Sequence, residues 1–303
     1  MRERFEELLG LAQAAFAAGE LARSVELFAE AERLAAEHGE QDLVDRAFCD
    51  RCAVLIELDQ AAQQVQRLKR ILLSSRDAKN RFLAAYYTAV AYFNDEEFER
   101  ASPYAQRAES LAEELGEPGL LARSANLTGN LAVRSSRFDD AEDAYRRALS
   151  LHSGEQGYLR IMEAQETDNL GYVLICTDRL EEGLHLCEQA RATLESAQAD
   201  QISDYLHQTL QDLCYGYLLN ADLQRAEEAG ERALELALAN DDRLVVKNCL
   251  FLLGEVAVRR GDTFRARRRL RELASYYPEV ALSEEIIDVF LATDMTSVVN
   301  LRG

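Results

Sequence analysis

The sequence predicts an all-α solenoid of about seven helical hairpins, closed by one further helix. Three observations carry this. A short pattern recurs as Phe138-Asp-Asp-Ala141-x3-Tyr145-x2-Ala148, Leu180-Glu-Glu-Gly183-x3-Cys187-x2-Ala190 and Leu223-Gln-Arg-Ala226-x3-Gly230-x2-Ala233. The small residue near its start aligns as Ser24, Gln64, Ala101, Ala141, Gly183, Ala226 and Ala266, at spacings of 40, 37, 40, 42, 43 and 40. The composition is heavy in Leu, Ala, Glu and Arg, with no Trp and only three Pro, which favours helix almost throughout. A helical pattern at a steady period marks stacked repeats, because one hairpin cannot bury its apolar face alone.

The turns place the elements in order. Hairpins near 3–38, 42–75, 80–116, 119–154, 158–197, 202–240 and 243–278 fold across Ala18-Gly19-Glu20, Leu58-Asp59-Gln60, Asn94-Asp95-Glu96, Ser135-Ser136-Arg137, Thr177-Asp178-Arg179, Asn220-Ala221-Asp222 and Gly261-Asp262-Thr263. Breakers separate them: His38-Gly39, Ser74-Ser75, Gly116-Glu-Pro-Gly119, Ser153-Gly154, Asn240-Asp-Asp242 and Pro278. The sixth repeat shows why the pattern works. Leu223, Ala226, Gly230, Ala233, Leu234 and Ala237 share one stripe, and Glu227, Glu228, Glu231 and Glu235 take the opposite face. Ala or Gly at the crossing lets two helices approach, while a large residue beside the turn (Phe98, Phe138, Leu180 or Leu223) fills the gap.

Residues 1–278 thus read as one solenoid. In 279–292, Ser283 is an N-cap followed by Glu284 and Glu285, and Ile286, Ile287, Val289, Phe290 and Leu291 form an apolar helix that seals the last repeat. The tail 293–303 is expected to be loosely ordered. Docking of Val298, Val299 and Leu301 on a groove or a partner is the alternative.

The net charge of −20 disfavours nucleic acid and anionic membranes and favours basic partners. No apolar run reaches the length of a membrane span, and the start Met1-Arg-Glu-Arg-Phe-Glu-Glu-Leu-Leu reads as an amphipathic helix rather than a signal peptide. Cys49, Cys52, Cys176, Cys187, Cys214 and Cys249 lie scattered on apolar faces and read as buried thiols of a reducing, cytoplasmic protein. Cys49-x-x-Cys52 puts both sulfurs on one helix face but lacks two further ligands for zinc. His38, His152, His185 and His207 fall in different places, and no nucleophile–base pair or phosphate loop is present. An enzyme, a cofactor and a metal are therefore not expected. Arg259, Arg260, Arg265, Arg267, Arg268, Arg269 and Arg271 crowd one stretch. They form either a patch for an acidic partner or, as the helix geometry favours, pairs with Glu227, Glu228, Glu231 and Glu235 of the preceding repeat.

The hairpins resemble tetratricopeptide repeats (TPR). The residues that carry the likeness are Leu170-Gly171, Leu253-Gly254, Gly129, Tyr92 and Tyr217 of the first helices. The second-helix sets are Ala101/Ala105/Ala108, Ala141/Tyr145/Ala148 and Ala226/Gly230/Ala233, with Pro278 at the end. The likeness covers residues 3–278 and is weakest in the second repeat, where Arg51 and Gln64 take usual core positions. TPR units run to about 34 residues. The longer period here adds about a turn to each helix and resembles the repeats of bacterial peptide-sensing regulators and kinesin light chains. The resemblance implies a right-handed superhelix whose first helices line a concave groove.

On that frame the groove positions are Tyr86 and Val90; Arg123, Asn126, Asn130 and Arg134; Asp168, Asn169 and Tyr172; Gln208, Gln211 and Tyr215; and Asn248, Phe251, Glu255 and Arg259. Asn126 and Asn130 are poor helix formers one turn apart. Either their carboxamides bind a peptide backbone, as groove asparagines do in the resembling sensors, or they bond neighbouring helices or water. The expected function is a protein–protein interaction module, or scaffold, that binds a peptide segment or protein surface in the groove. A peptide-sensing regulatory protein and a structural homo-oligomer are the alternatives, so the oligomeric state stays open.

Overall fold

A computed structural model describes residues 1–58, 60–152, 158–196, 203–277, 284–294, 296 and 300–302. Every regular element among these is helical. In order they are α1 (Arg2–Ala17), α2 (Leu21–Glu37), α3 (Gln41–Glu57), α4 (Val65–Ser74) after a 3-10 turn at Ala62–Gln64, α5 (Ala78–Asn94), α6 (Phe98–Leu115), α7 (Pro118–Arg134), α8 (Phe138–Ser150), α9 (Tyr158–Cys176), α10 (Leu180–Ser196), α11 (Ser203–Leu219), α12 (Leu223–Ala239), α13 (Arg243–Arg259), α14 (Thr263–Ala274) and α15 (Glu284–Ala292). The helices of the predicted hairpins are all present. Asp59, Ser153-Gly154, Pro278, Ser283, Val298 and Val299 lie outside the described residues.

The turns have a common cause. Gly19, Glu96, Asp178, Ala221 and Gly261 sit in the left-handed region, with φ of 75°, 60°, 61°, 58° and 74°. The next residue then donates its amide back across the turn: Glu20 to Ala15, Glu97 to Tyr92, Arg179 to Leu174, Asp222 to Tyr217 and Asp262 to Ala257, at 2.8–3.0 Å. This closure satisfies carbonyls left open at a helix end and sends the chain back antiparallel.

The chain forms two compact units: Met1–Ser135 with Asp143–Gly154, and Ser136–Glu142 with Glu155–Gly303. In the first, α1 packs on α2, α2 on α3, α4 on α5 and α5 on α6, while α3, α5 and α7 lie side by side. In the second, α9 packs on α10, α11 on α12 and α13 on α14, while α9, α11 and α13 lie side by side. First helices therefore share one face in each unit, as the repeat pattern predicts.

The aligned small residues Ser24, Ala101, Ala141, Ala226 and Ala266 are all fully buried. Gln64 departs, being only half-buried, and Ala61 and Val65 supply the core of that irregular repeat instead. Arg51 is held at its edge, 3.1 Å from Glu32, and Glu32 also takes Arg67 at 2.6 Å. Both guanidiniums lie over the Phe48 ring, at 5.4 and 3.8 Å. Such stacking keeps an arginine stem on apolar surface while its head stays paired.

The capping helix α15 packs on α14 and buries Ile287. Val289, expected on the sealing face, points to solvent instead. Much of the arginine run is paired within the chain. Arg260 and Arg265 both bond Glu227, Arg269 bonds Glu231, and Arg267 bonds Asp288 of α15. No described helix is long and apolar enough to cross a membrane.

Candidate functional site

The wall formed by α9, α11 and α13 concentrates polar side chains that an ordinary helix core excludes. Asp168, Asn169, Gln211, Asp212 and Glu255 are all at most 4% exposed. Buried polar groups at this density need partners. Most of those partners come from one place, the segment after α15.

Its described residues Asp294, Thr296, Asn300, Leu301 and Arg302 bond the wall, and Leu301 is 3% exposed. For these residues the expectation of a loosely ordered tail gives way to its alternative, docking on the groove, while Val298 and Val299 lie outside the described residues. The Arg302 guanidinium donates to Asp168 Oδ2 at 2.9 Å, to Asp212 Oδ2 and to Asn169 Oδ1, and it lies 4.6 Å from the Tyr172 ring centre. Tyr172 Oη donates to Asn300 Oδ1 at 2.8 Å and accepts the Leu301 amide at 3.0 Å. Asn248 Nδ2 donates to the Leu301 carbonyl at 2.8 Å and to Gln211 Oε1 at 3.0 Å. Tyr215 Oη donates to the Thr296 carbonyl at 3.0 Å. Arg259 reaches Thr296 Oγ1 at 3.0 Å and Asp294 at 3.2 Å, while its other arm donates to the Leu218 carbonyl at 2.6 Å.

The electrostatics follow from burial. The Asp168 carboxyl is pushed up to about 7, first by burial and then by the charge of Asp212, against the pull of Arg302. Asp212 is raised by burial too, again opposed by Arg302. Burial lifts Glu255 to about 7, with nearby Asp294 adding to it and Arg259 opposing. Asp294 is held below its ordinary range by the hydroxyl and amide of Thr296. Beside the wall, His207 is buried and bonds Asp242 at 2.9 Å.

Of the residues predicted to line the groove, Asp168, Asn169, Tyr172, Tyr215, Asn248 and Arg259 contact the described residues of the segment directly. Gln211 acts one step back, through Asn248 and Asp212. Glu255 lies near Asp294, Phe251 is buried, and Gln208 is half-buried. The sequence reading did not single out Asp212, Thr296, Asn300 or Arg302. Asp168 and Asp212 lie on the first helices of successive repeats, and two buried carboxylates call for a cation.

In the first unit the predicted stripe is turned to internal contacts. Asn130 accepts from Tyr145 Oη at 2.7 Å, and Asn126 is 6% exposed. Arg123 donates to Tyr87 Oη at 2.9 Å and lies 4.6 Å from the Tyr86 ring centre. Arg134 lies between Phe93 and Phe98, at 5.5 and 5.2 Å, and Val90 is half-buried. Tyr145 rests against Gly129, where a Cβ would meet its ring at 2.5 Å. Tyr145→Phe keeps that packing and removes this hydrogen bond, so urea denaturation is expected to show a loss of about 1 kcal/mol.

Five cysteines are buried, and burial raises their thiols, Cys52 to about 12. Such thiols pack as small apolar groups.

No protein-family profile and no curated protein matches the sequence. Solved structures do. A Rap protein complexed with competence and sporulation factor aligns with a TM-score of 0.66 and 13% identity, over 98% of this chain and 79% of that one. The apo form of RapI gives 0.62 and 14%, over 90% of this chain and 97% of that one. A signal transduction ATPase with a tetratricopeptide repeat sensor, from Pyrococcus horikoshii, gives 0.59 and 15%, over 96% of this chain and 44% of that one. At these identities the likeness is one of fold.

Proposed function

We propose that this chain, whose fold is of the tetratricopeptide-repeat type, is a protein-interaction module that grips a polypeptide segment along α9, α11 and α13. The observation that carries the reading is the contact of Thr296 and Leu301 with the wall. Tyr215 and Asn248 hold their main-chain carbonyls and Tyr172 holds the Leu301 amide. Bonds to the main chain do not depend on the side chains, and the side-chain pockets then select among sequences. The Rap protein of similar fold carries competence and sporulation factor, which agrees with a ligand-holding role for such a wall. On this reading the binding residues are Asn169, Tyr172, Gln208, Gln211, Tyr215, Asn248, Glu255 and Arg259. Tyr86, Arg123, Asn126, Asn130 and Arg134 serve packing in the first unit.

The test uses the full chain carrying Arg302→Ala, which loosens the native occupant, and a labelled nonapeptide with the sequence of residues 294–302. Fluorescence polarisation is expected to show saturable binding that Asn248→Ala weakens about tenfold, the value of one to two hydrogen bonds. Absence of binding, with helicity intact, refutes the reading.

A further inference from the structure

We propose that the partner segment recognised by this wall is one that presents an arginine directly after an apolar residue, and that Leu301 and Arg302 occupy the site as a tethered stand-in for it. This rests on the groove-binding reading above and names the class of ligand.

The argument begins with the receptor. Asp168 and Asp212 project from α9 and α11, which are fixed by packing on each other and on α10. Asp168 is 2% and Asp212 0% exposed. Their positions are set by helices, so the pair exists whether or not a segment is seated. Two neighbouring buried carboxylates repel each other and lose their hydration, and both penalties are relieved by a cation. The pocket is therefore a cation receptor built into the fold.

The geometry selects arginine among cations. A single guanidinium meets three acceptors on two helices: Asp168 Oδ2, Asp212 Oδ2 and Asn169 Oδ1. Its face also lies 4.6 Å from the centre of the Tyr172 ring. A planar fork satisfies such a set while stacking, and a lysine ammonium is a compact point charge that cannot. The preceding residue is read as well. Leu301 is 3% exposed, and both its amide and its carbonyl are held, by Tyr172 and Asn248. One acceptor remains: Asp168 Oδ1 is buried and has no hydrogen-bond partner among the described residues. A net charge of −20 further favours approach by a basic partner.

A tethered segment competes at a high effective concentration, so an external segment binds better once the tether's own arginine is removed. The experiment measures fluorescence polarisation of three labelled peptides: a nonapeptide with the sequence of residues 294–302, the same peptide with its arginine changed to alanine, and a Ser/Gly host ending in Asn-Leu-Arg. Each is titrated against the full wild-type chain, Arg302→Ala, and Arg302→Ala combined with Asp212→Asn. The proposal expects three results. Arg302→Ala binds both arginine peptides about tenfold or more tighter than the alanine peptide, as for a buried charge pair. Asp212→Asn, which keeps the shape, abolishes that preference. The wild-type chain binds all three at least tenfold more weakly than Arg302→Ala. Equal binding of the arginine and alanine peptides overturns the arginine requirement while leaving the groove reading intact. Binding of none of them, with unchanged circular dichroism, sinks both. Light scattering supplies one more outcome. A wild-type dimer that Arg302→Ala converts to monomer would mean the segment serves a second copy of this chain, and the proposal fails.

Discussion

Replacing Gly183 with valine is expected to cost the second unit more than about 3 kcal/mol, beyond the usual range for overpacking, because backbone rather than side chain stands in the way. A Cβ at Gly183 would lie 2.6 Å from the Gly171 carbonyl oxygen, 2.7 Å from Ile175 Cγ1 and 2.9 Å from the Ile175 amide nitrogen. The contact is reciprocal: a Cβ at Gly171 would meet Cys187 Sγ at 2.5 Å and the Gly183 carbonyl at 2.9 Å. Two helices that cross glycine on glycine cannot part without opening the core on both sides, where Leu170, Tyr172, Cys187 and Ala190 are buried. Urea denaturation followed by circular dichroism measures the loss. Gly10→Ala in α1 is the control, since nothing lies within 4 Å of its added Cβ. There the expected change is a gain of about 0.5–1 kcal/mol from helix propensity. A Gly183→Val protein within 1 kcal/mol of wild type would show that α9 and α10 are free to shift apart.

That crossing was legible in the sequence, while docking of the final segment stood there only as an alternative and Arg302 was not read. The difference is physical. Gly171 and Gly183 belong to a pattern repeated down the chain, so each occurrence reinforces the others. The same holds for the turn residues and the alanine stripes, which is why the hairpins and their order follow from the residues, whereas the face shared by first helices came with the tetratricopeptide resemblance. Residues 294–302 occur once and have neither 3.6-residue nor twofold periodicity. The place of Arg302 is set by long-range pairs with Asp168 and Asp212, which no local rule links.

The groove residues illustrate the same limit. The repeat frame identified which positions face along α9, α11 and α13, and Asn169, Tyr172, Tyr215 and Arg259 do touch a peptide segment. The frame did not say that the segment belongs to the same chain. In the first unit it marked the polar stripe of α7 but not Tyr145, whose hydroxyl claims Asn130. A polar residue on a first helix is compatible with both a ligand and a neighbouring second helix, and only the packed structure separates the two.

Glu255→Gln is expected to stabilise the protein at pH 8 and to leave it nearly unchanged at pH 5. Glu255 is 3% exposed on α13, and its carboxyl is raised from the ordinary 4.5 to about 7 by burial and by Asp294, against the pull of Arg259. The sign follows from proton binding. Between these two values the folded protein holds a proton that the unfolded chain has released, so the favourable term is complete below pH 4.5 and is lost as pH rises through about 7. Glutamine imitates the protonated carboxyl and carries no charge to bury, so the variant escapes that loss. The expected gain at pH 8 is about 1–3 kcal/mol, allowing for relaxation around the charge. Guanidinium denaturation at pH 5 and pH 8 reads it directly. The wild type keeps a second downward slope near neutrality that glutamine at 255 does not remove, because Asp168 also titrates at about 7 beside Asp212. Adding Arg302→Ala separates the two sources. Without its guanidinium the aspartate pair takes up a proton at still higher pH, whereas the response of Glu255 weakens only as far as Asp294 leaves its neighbourhood. An identical pH dependence in wild type and Glu255→Gln would mean that Glu255 titrates as a solvated group, and that the seated segment does not seal this end of the wall.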